Sequence, residues 1–193
     1  MTSRLGSIDR RMAIGGALAG AAGLALPHRQ RRTVNQRGMV GGGLVQYEQG
    51  EANFSVFASR MIFAEDQVVV LGSVLWVDET HELTLRSTAI TGYMVPEVQP
   101  EQGVLRKVFG MMRDVAGGEY PFELELVDVD LSGAGEDTVV LTVGNGARTS
   151  ETATPASDIG FRYMASGRVA RGDIQLISVE VDPETGVAQP APN

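Results

Sequence analysis

From Met39 onward the chain is divided into short apolar runs whose side chains alternate with a period of two, each bounded by glycine, proline or acidic residues. That period belongs to strands, whose successive side chains point to opposite faces. Phe54, Val56 and Ala58 fall on one face and Ser55, Phe57 and Ser59 on the other, while Phe122, Leu124 and Leu126 lie opposite Glu123 and Glu125. No stretch carries the 3.6-residue period of an amphipathic helix. The pattern predicts an all-β fold, an antiparallel, jelly-roll-like β-sandwich of about eight or nine strands.

The expected strands are Val40–Tyr47, Ala52–Phe63, Val68–Val77, His81–Tyr93, Leu105–Val115, Tyr120–Val129, Thr138–Val143, Gly160–Met164 and Asp173–Val181. Val68–Val77 shows little polar alternation and is expected to be a central, doubly covered strand, with Trp76 in the core. After Leu126 the alternation changes phase, as Val127, Val129 and Leu131 alternate with Asp128 and Asp130, which predicts a bulge or a crossover between sheets. Phe57 and Met61 are expected on a second packed face, and Met111-Met112 to fill a core gap. Gly144–Ser157, small and polar, reads as a long exposed loop, and residues 182–193 as a disordered tail.

Ahead of this domain stands a different kind of segment. Arg10 and Arg11 immediately precede an apolar, Gly/Ala-rich run from Met12 to Leu26, ending in small residues. A basic start, an apolar stretch and a small-residue cleavage point make a secretory signal peptide, and the paired arginines are the address of the bacterial twin-arginine export machinery. The apolar run has 15 residues, short of the roughly 20 needed to span a bilayer, so no stable membrane insertion is expected after cleavage near Ala25. The expected organisation is a signal peptide over 1–25, a basic linker over 26–38, a sandwich domain over 39–181 and the tail. The destination is outside the cell or on its surface, or the periplasm where an outer membrane exists.

Charge narrows the partners. The chain holds 16 basic and 24 acidic residues, a net −8, and loss of residues 1–25 (three Arg, one Asp) leaves 13 against 23, or −10. An acidic domain lacks the footprint that neutralises phosphates, which argues against nucleic acid. The basic cluster from His28 to Arg37 has no interleaved aromatic residue and reads as a solvated linker. Cysteine is absent, so neither disulfides nor a lipidated-cysteine anchor is available.

The order of several short motifs is more specific than any one of them. Gly41-Gly42-Gly43, the strand from Gly50 to Phe54, Ser87 to Ile90, Gly118 to Phe122, the acidic glycine loop from Asp128 leading into the strand Asp137–Leu141, and Gly172 to Gln175 follow one another across residues 41–175. In that order they resemble the post-COAP domain of secreted bacterial proteins. The resemblance implies an extracellular β-sandwich module without established activity. The chain departs from the family where Ile174-Gln175-Leu176 is followed by Ile177 rather than His, and where Ala116-Gly117-Gly118 replaces a G-x-G. The shared positions are glycines and apolar residues, and no binding residue is carried over.

Three groups of residues could carry chemistry. Asp128, Asp130, Ser132, Glu136 and Asp137 form an acidic loop whose D-x-D-x-S-G opening imitates the first half of a calcium loop. The imitation fails at the twelfth position, Val139, where a bidentate Glu belongs, and a solvated hairpin loop is the competing reading. His81, in Asp78-Glu79-Thr80-His81-Glu82, is the imidazole available to a Ser-His-Asp arrangement, since His28 lies in the linker. No nucleophile elbow accompanies it, and a solvent-facing turn is expected. Glu123 and Glu125 lie about 7 Å apart on one strand face, within the spacing of an inverting glycosidase, yet alternating acids on an exposed face are ordinary. Tyr47, Tyr93, Tyr120 and Tyr163 could form a sugar-stacking platform.

The resulting expectation is an exported, non-enzymatic β-sandwich module, binding an extracellular ligand or protein or serving a structural role, with no cofactor. A carbohydrate- or calcium-dependent binding module and an extracellular hydrolase are the alternatives.

Overall fold

A computed structural model describes residues 33–63, 67–129, 136–182, 185 and 187–190. The strands are β1 (Thr33–Tyr47), β2 (Gly50–Phe63), β3 (Val68–Asp78), β4 (Leu83–Met94), β5 (Val104–Asp114), β6 (Glu119–Asp128), β7 (Thr138–Gly144), β8 (Arg162–Val181) and β9 (Ala188–Pro190). Each pairs antiparallel with the next, and no helix occurs among the described residues. The all-β, antiparallel expectation holds.

The sandwich does not. β1 pairs with β2 from Thr33 to Tyr47 and with β8 along its other edge, where Met39 faces Leu176, Val40 faces Gln175 and Tyr47 faces Gly167. That pairing closes the first eight strands into an up-and-down β-barrel, while β9 adds three residues beside Val179–Val181. Sandwich and barrel strands share the same inward/outward alternation, so the period alone does not separate them. The separation comes from backbone pairing between segments more than 100 residues apart.

β8 also explains two differences from the expected strands. Gly160–Met164 and Asp173–Val181 belong to one 20-residue strand whose first part pairs with β7 and whose longer remainder pairs with β1. The glycines permit this. At the seam Gly43 faces Gly172, and a Cβ on Gly43 would lie 1.9 Å from the Arg171 carbonyl oxygen. Gly172 has φ +114°, and a Cβ there would lie 2.1 Å from the Gly42 carbonyl oxygen. Two backbones approach here more closely than any side chain allows. The first strand begins at Thr33, within the expected linker, and Ala188–Pro190 forms a strand within the expected disordered tail.

The core fills the barrel. Trp76, Tyr93, Phe122, Met39, Leu85, Met112, Leu124, Leu126, Leu141 and Ile174 are fully buried and come from all the closing strands but β2, which supplies Ala52, Phe54, Val56 and Ala58. Each large side chain so enclosed contributes about 1.5–3 kcal/mol. The small residues Ala52 and Ala58 leave room for the indole of Trp76, which packs against Phe54 at a centroid distance of 6.4 Å. The outward positions carry Ser73, Arg86, Lys107, Glu125 and Thr142, so the barrel is apolar within and polar without.

Two finer expectations also change. β3 is not doubly covered: Val68 and Val69 are exposed, while Val74, Trp76 and Asp78 alternate with half-buried neighbours. No phase slip follows Leu126 either, since β6 stays in unbroken register with β5 and its last residue, Asp128, points inward and is buried. A polar residue on the inner face looks like a change of phase when only polarity is read. Phe57, Met61 and Met111 are half-buried, and Met112 is a core residue.

Candidate functional site

At one end of the barrel, three side chains converge on a single carboxylate, that of Asp78. Asp78 closes β3, Tyr47 closes β1, Tyr163 lies one residue into β8, and His81 occupies the turn joining β3 to β4. Asp78 is fully enclosed. Its Oδ2 accepts hydrogen bonds from the hydroxyls of Tyr47 and Tyr163, the latter at 2.6 Å, and lies 2.9 Å from His81 Nδ1. Its Oδ1 accepts from the His81 backbone N–H at 3.1 Å. Tyr163 in turn accepts from Trp76 Nε1 at 2.9 Å, so the network runs from the turn into the core.

The local sequence explains the convergence. Asp78 shares the inward face of β3 with Val74 and Trp76, and the turn at 79–82 folds His81 back over it. An aspartate accepting from the backbone three residues on is an Asx-type turn. Glu82, with φ 50°, supplies the left-handed residue that lets the turn close.

Electrostatics follow from the geometry. Burial pushes the Asp78 carboxyl upward, but the donors Tyr163, Tyr47 and His81 outweigh it and hold the group below its ordinary 3.8. Burial, reinforced by the bond to Asp78, pushes the Tyr47 phenol up to about 12, and burial with the same carboxylate raises Tyr163 as well. The carboxylate is therefore ionised and both phenols are neutral donors at neutral pH.

The His81 ring is 44% exposed. It stacks on Tyr47 at 6.2 Å and meets Tyr163 edge-on at 6.1 Å. With its Nδ1–H donated to Asp78, the free Nε2 is an acceptor turned away from the carboxylate. Chemically this is an oriented imidazole between two aromatic rings, able to accept a hydrogen bond or a proton. No serine or cysteine joins the Asp78 network among the described residues.

His81 thus lies in a turn, as expected, and is tied to Asp78, the partner that a triad would require. Tyr47 and Tyr163 were candidates only for a platform, and their joint role was not legible. The one signal in the sequence was the Asp-x-x-His spacing across a turn. Tyr120 belongs to another contact, stacked on Phe161 at 4.3 Å, and Tyr93 is buried at the opposite end of the barrel.

The acidic loop divides. Asp130 and Ser132 lie outside the described residues. Asp137 is buried, and its two oxygens accept from the Val129 and Ile174 backbone N–H groups, each at 3.0 Å, so it ties β6 to β8. Glu136 is exposed and pairs with Arg168, and Asp128 points into the barrel. Among the described residues no three acidic or imidazole groups gather as a metal cluster. Arg10 and Arg11 also lie outside the described residues.

Glu123 and Glu125 are not a free acidic pair. The loop after β7 folds back over the outer face, Arg148 grips Glu123 with two bonds of 2.9 and 2.6 Å, and Lys107 Nζ lies 3.2 Å from Glu123 and 2.5 Å from Glu125. The Arg148 guanidinium also lies 5.3 Å above the Phe109 ring. Glu123 is buried as a result, and burial is outweighed by Arg148 and Lys107, which hold its carboxyl below the ordinary 4.5. The expected open loop is instead fastened at Ala147, which is fully buried and bonded to Ala156.

No protein family, no curated protein and no solved structure matches this chain.

Proposed function

We propose that the chain is an exported, non-enzymatic binding module that meets its ligand at the Tyr47 end of the barrel. The observation that carries this reading is the half-exposed His81 ring, held by a buried carboxylate and flanked by Tyr47 and Tyr163, while the other polar groups of the network are consumed internally. A stacked imidazole and phenol with one free acceptor suit a ligand offering a flat or apolar face and a hydroxyl donor, as sugars do. Export rests on Arg10-Arg11 and the apolar run that follows, and the ordered glycine motifs support kinship with the post-COAP modules. The acidic loop supports calcium only weakly, because Asp137 already serves two backbone donors.

The test is a glycan array probed with the purified protein and with His81→Ala, followed by titration of each hit while observing the His81 ring by NMR. Hits should move the His81 ring signals and weaken at least tenfold in the variant. Hits indifferent to His81 would place the binding surface elsewhere. An extracellular hydrolase is the second reading, favoured specifically by the Asp78–His81 dyad, in which a buried carboxylate orients an imidazole as in acid–base catalysis. Turnover of any ester, glycoside or peptide substrate that disappears in His81→Gln would decide for it.

A further inference from the structure

Because consecutive strands run up and down, the hairpins β1–β2, β3–β4, β5–β6 and β7–β8 all turn at the same end of the barrel. Each of the four brings an aromatic ring to that end. Tyr47 closes β1, His81 occupies the β3–β4 turn, Tyr120 lies one residue into β6, and Phe161 immediately precedes β8, with Tyr163 two residues further on. Phe161 continues the β7–β8 ladder, since its carbonyl accepts the Asn145 N–H at 3.0 Å, one step beyond the paired Gly144 and Arg162. Phe161 and Tyr163 therefore share one strand face, about 7 Å apart.

That spacing joins two ring groups into one arc. Tyr47 lies 6.2 Å from His81 and His81 6.1 Å from Tyr163, while Phe161 stacks on Tyr120 at 4.3 Å with 23° between the planes. Tyr47, Tyr120, Phe161 and Tyr163 all pack against the core yet are only half-buried. A core-facing side chain at a strand end reaches water through the mouth of the barrel, so the open edges of these rings face the same mouth as His81. Charge narrows what fits there. The two short turns on the His81 side, 48–49 and 79–82, carry exposed Glu48, Glu79 and Glu82 and no lysine or arginine. An acidic border repels anionic ligands, nucleic acid included.

We propose that the ligand of this end is a neutral oligosaccharide of three or more units, one sugar resting on Tyr47, His81 and Tyr163 and a later one on the Phe161–Tyr120 stack. The inference rests on the sugar-binding reading of the His81 end and adds length and charge to it. A pyranose lays an apolar face on an aromatic ring and directs its hydroxyls outward, where His81 Nε2 and the bordering glutamates accept them. A single sugar covers one of the two stations. Once the first station is occupied, a chain meets the second at high effective concentration, so affinity grows with length.

The experiment titrates cello-oligosaccharides and chito-oligosaccharides of one to five units, with oligogalacturonates as the acidic comparison, into the purified protein by calorimetry and NMR. In one of the neutral series, affinity should rise at least tenfold from the disaccharide to the tetrasaccharide, and the acidic series should bind more weakly at every length. The Tyr120 and Phe161 ring signals should move with the tetrasaccharide and stay still with the monosaccharide. Phe161→Leu and Tyr120→Leu keep apolar bulk without the ring, and each should remove the gain with length while leaving monosaccharide binding unchanged. If neither variant folds, the ring signals of the unaltered protein carry the test. Binding that does not strengthen with length, or that strengthens while both rings stay still, would overturn the arc and leave the His81 station standing. Failure of both neutral series at every length would remove the sugar reading itself, and this inference with it.

Discussion

Asp78 Oδ2 and Tyr163 Oη lie 2.6 Å apart although 85 residues separate them in the chain. The contact joins the last residue of β3 to the beginning of β8, and it does so across the end of the barrel rather than along a strand pair. Because Tyr163 also receives the Trp76 indole N–H, one hydroxyl couples the core to the turn that presents His81.

Removing that hydroxyl should cost more than one ordinary hydrogen bond. Tyr163→Phe leaves both the Trp76 N–H and one Asp78 lone pair without their partner, and a loss of about 2–4 kcal/mol is expected, since each buried group so stranded costs about 1–3 kcal/mol. Urea unfolding measures it. A loss below about 0.5 kcal/mol would mean that water replaces the phenol without penalty.

Acid should loosen the protein through two carboxylates. Asp78 and Glu123 both titrate below their ordinary values of 3.8 and 4.5, so the stability they confer is fully present above those values and is lost as pH falls through the lower, folded-state values. Tm measured from pH 7 downward should therefore hold near neutrality and fall increasingly below about pH 4.5. Asp78→Asn and Glu123→Gln should each flatten that decline, starting from a lower Tm.

Arg148 should act as the fastening of the loop that follows β7. Arg148→Ala leaves a buried Glu123 with Lys107 as its remaining partner and uncovers Phe109, and a loss of about 3 kcal/mol is expected. Hydrogen exchange at Gly146 and Ala156, whose N–H groups bond within the loop, should accelerate before exchange in β6 does. Acceleration throughout the barrel would instead show that the loop unfolds only with the whole.

The seam between β1 and β8 should tolerate no side chain. Gly172→Ala combines a left-handed backbone with a Cβ placed 2.1 Å from a carbonyl oxygen, and it should lower stability by several kcal/mol or abolish folding. Gly160→Ala, where a Cβ meets nothing within 4 Å, is the matched control and should stay within about 0.5 kcal/mol of the parent. Circular dichroism melts of the two variants side by side test this.

Much of the barrel wall was legible from residue type alone. The inward set Phe54, Val56, Ala58 and Phe122, Leu124, Leu126 follows from a two-residue period, because each strand needs only its own pleat to assign a face. Trp76 in the core follows for the same reason. Asp128 misled, since a polar residue kept on the inner face breaks the polarity pattern without breaking the strand. Glu123 misled in the other direction, because its burial is imposed by Arg148, brought in by a loop whose composition reads as solvent-exposed.

The sequence by itself determined the strand content, most strand positions, the inner and outer faces and the acidic charge. The tertiary structure decided that the sheet closes on itself and that Tyr47, Tyr163 and His81 meet at Asp78. Alternation is a property of a few consecutive residues, whereas closure depends on backbone N–H and C=O groups pairing between Val40 and Gln175, and every residue carries those groups. Which side chains become neighbours is settled only once that seam has formed.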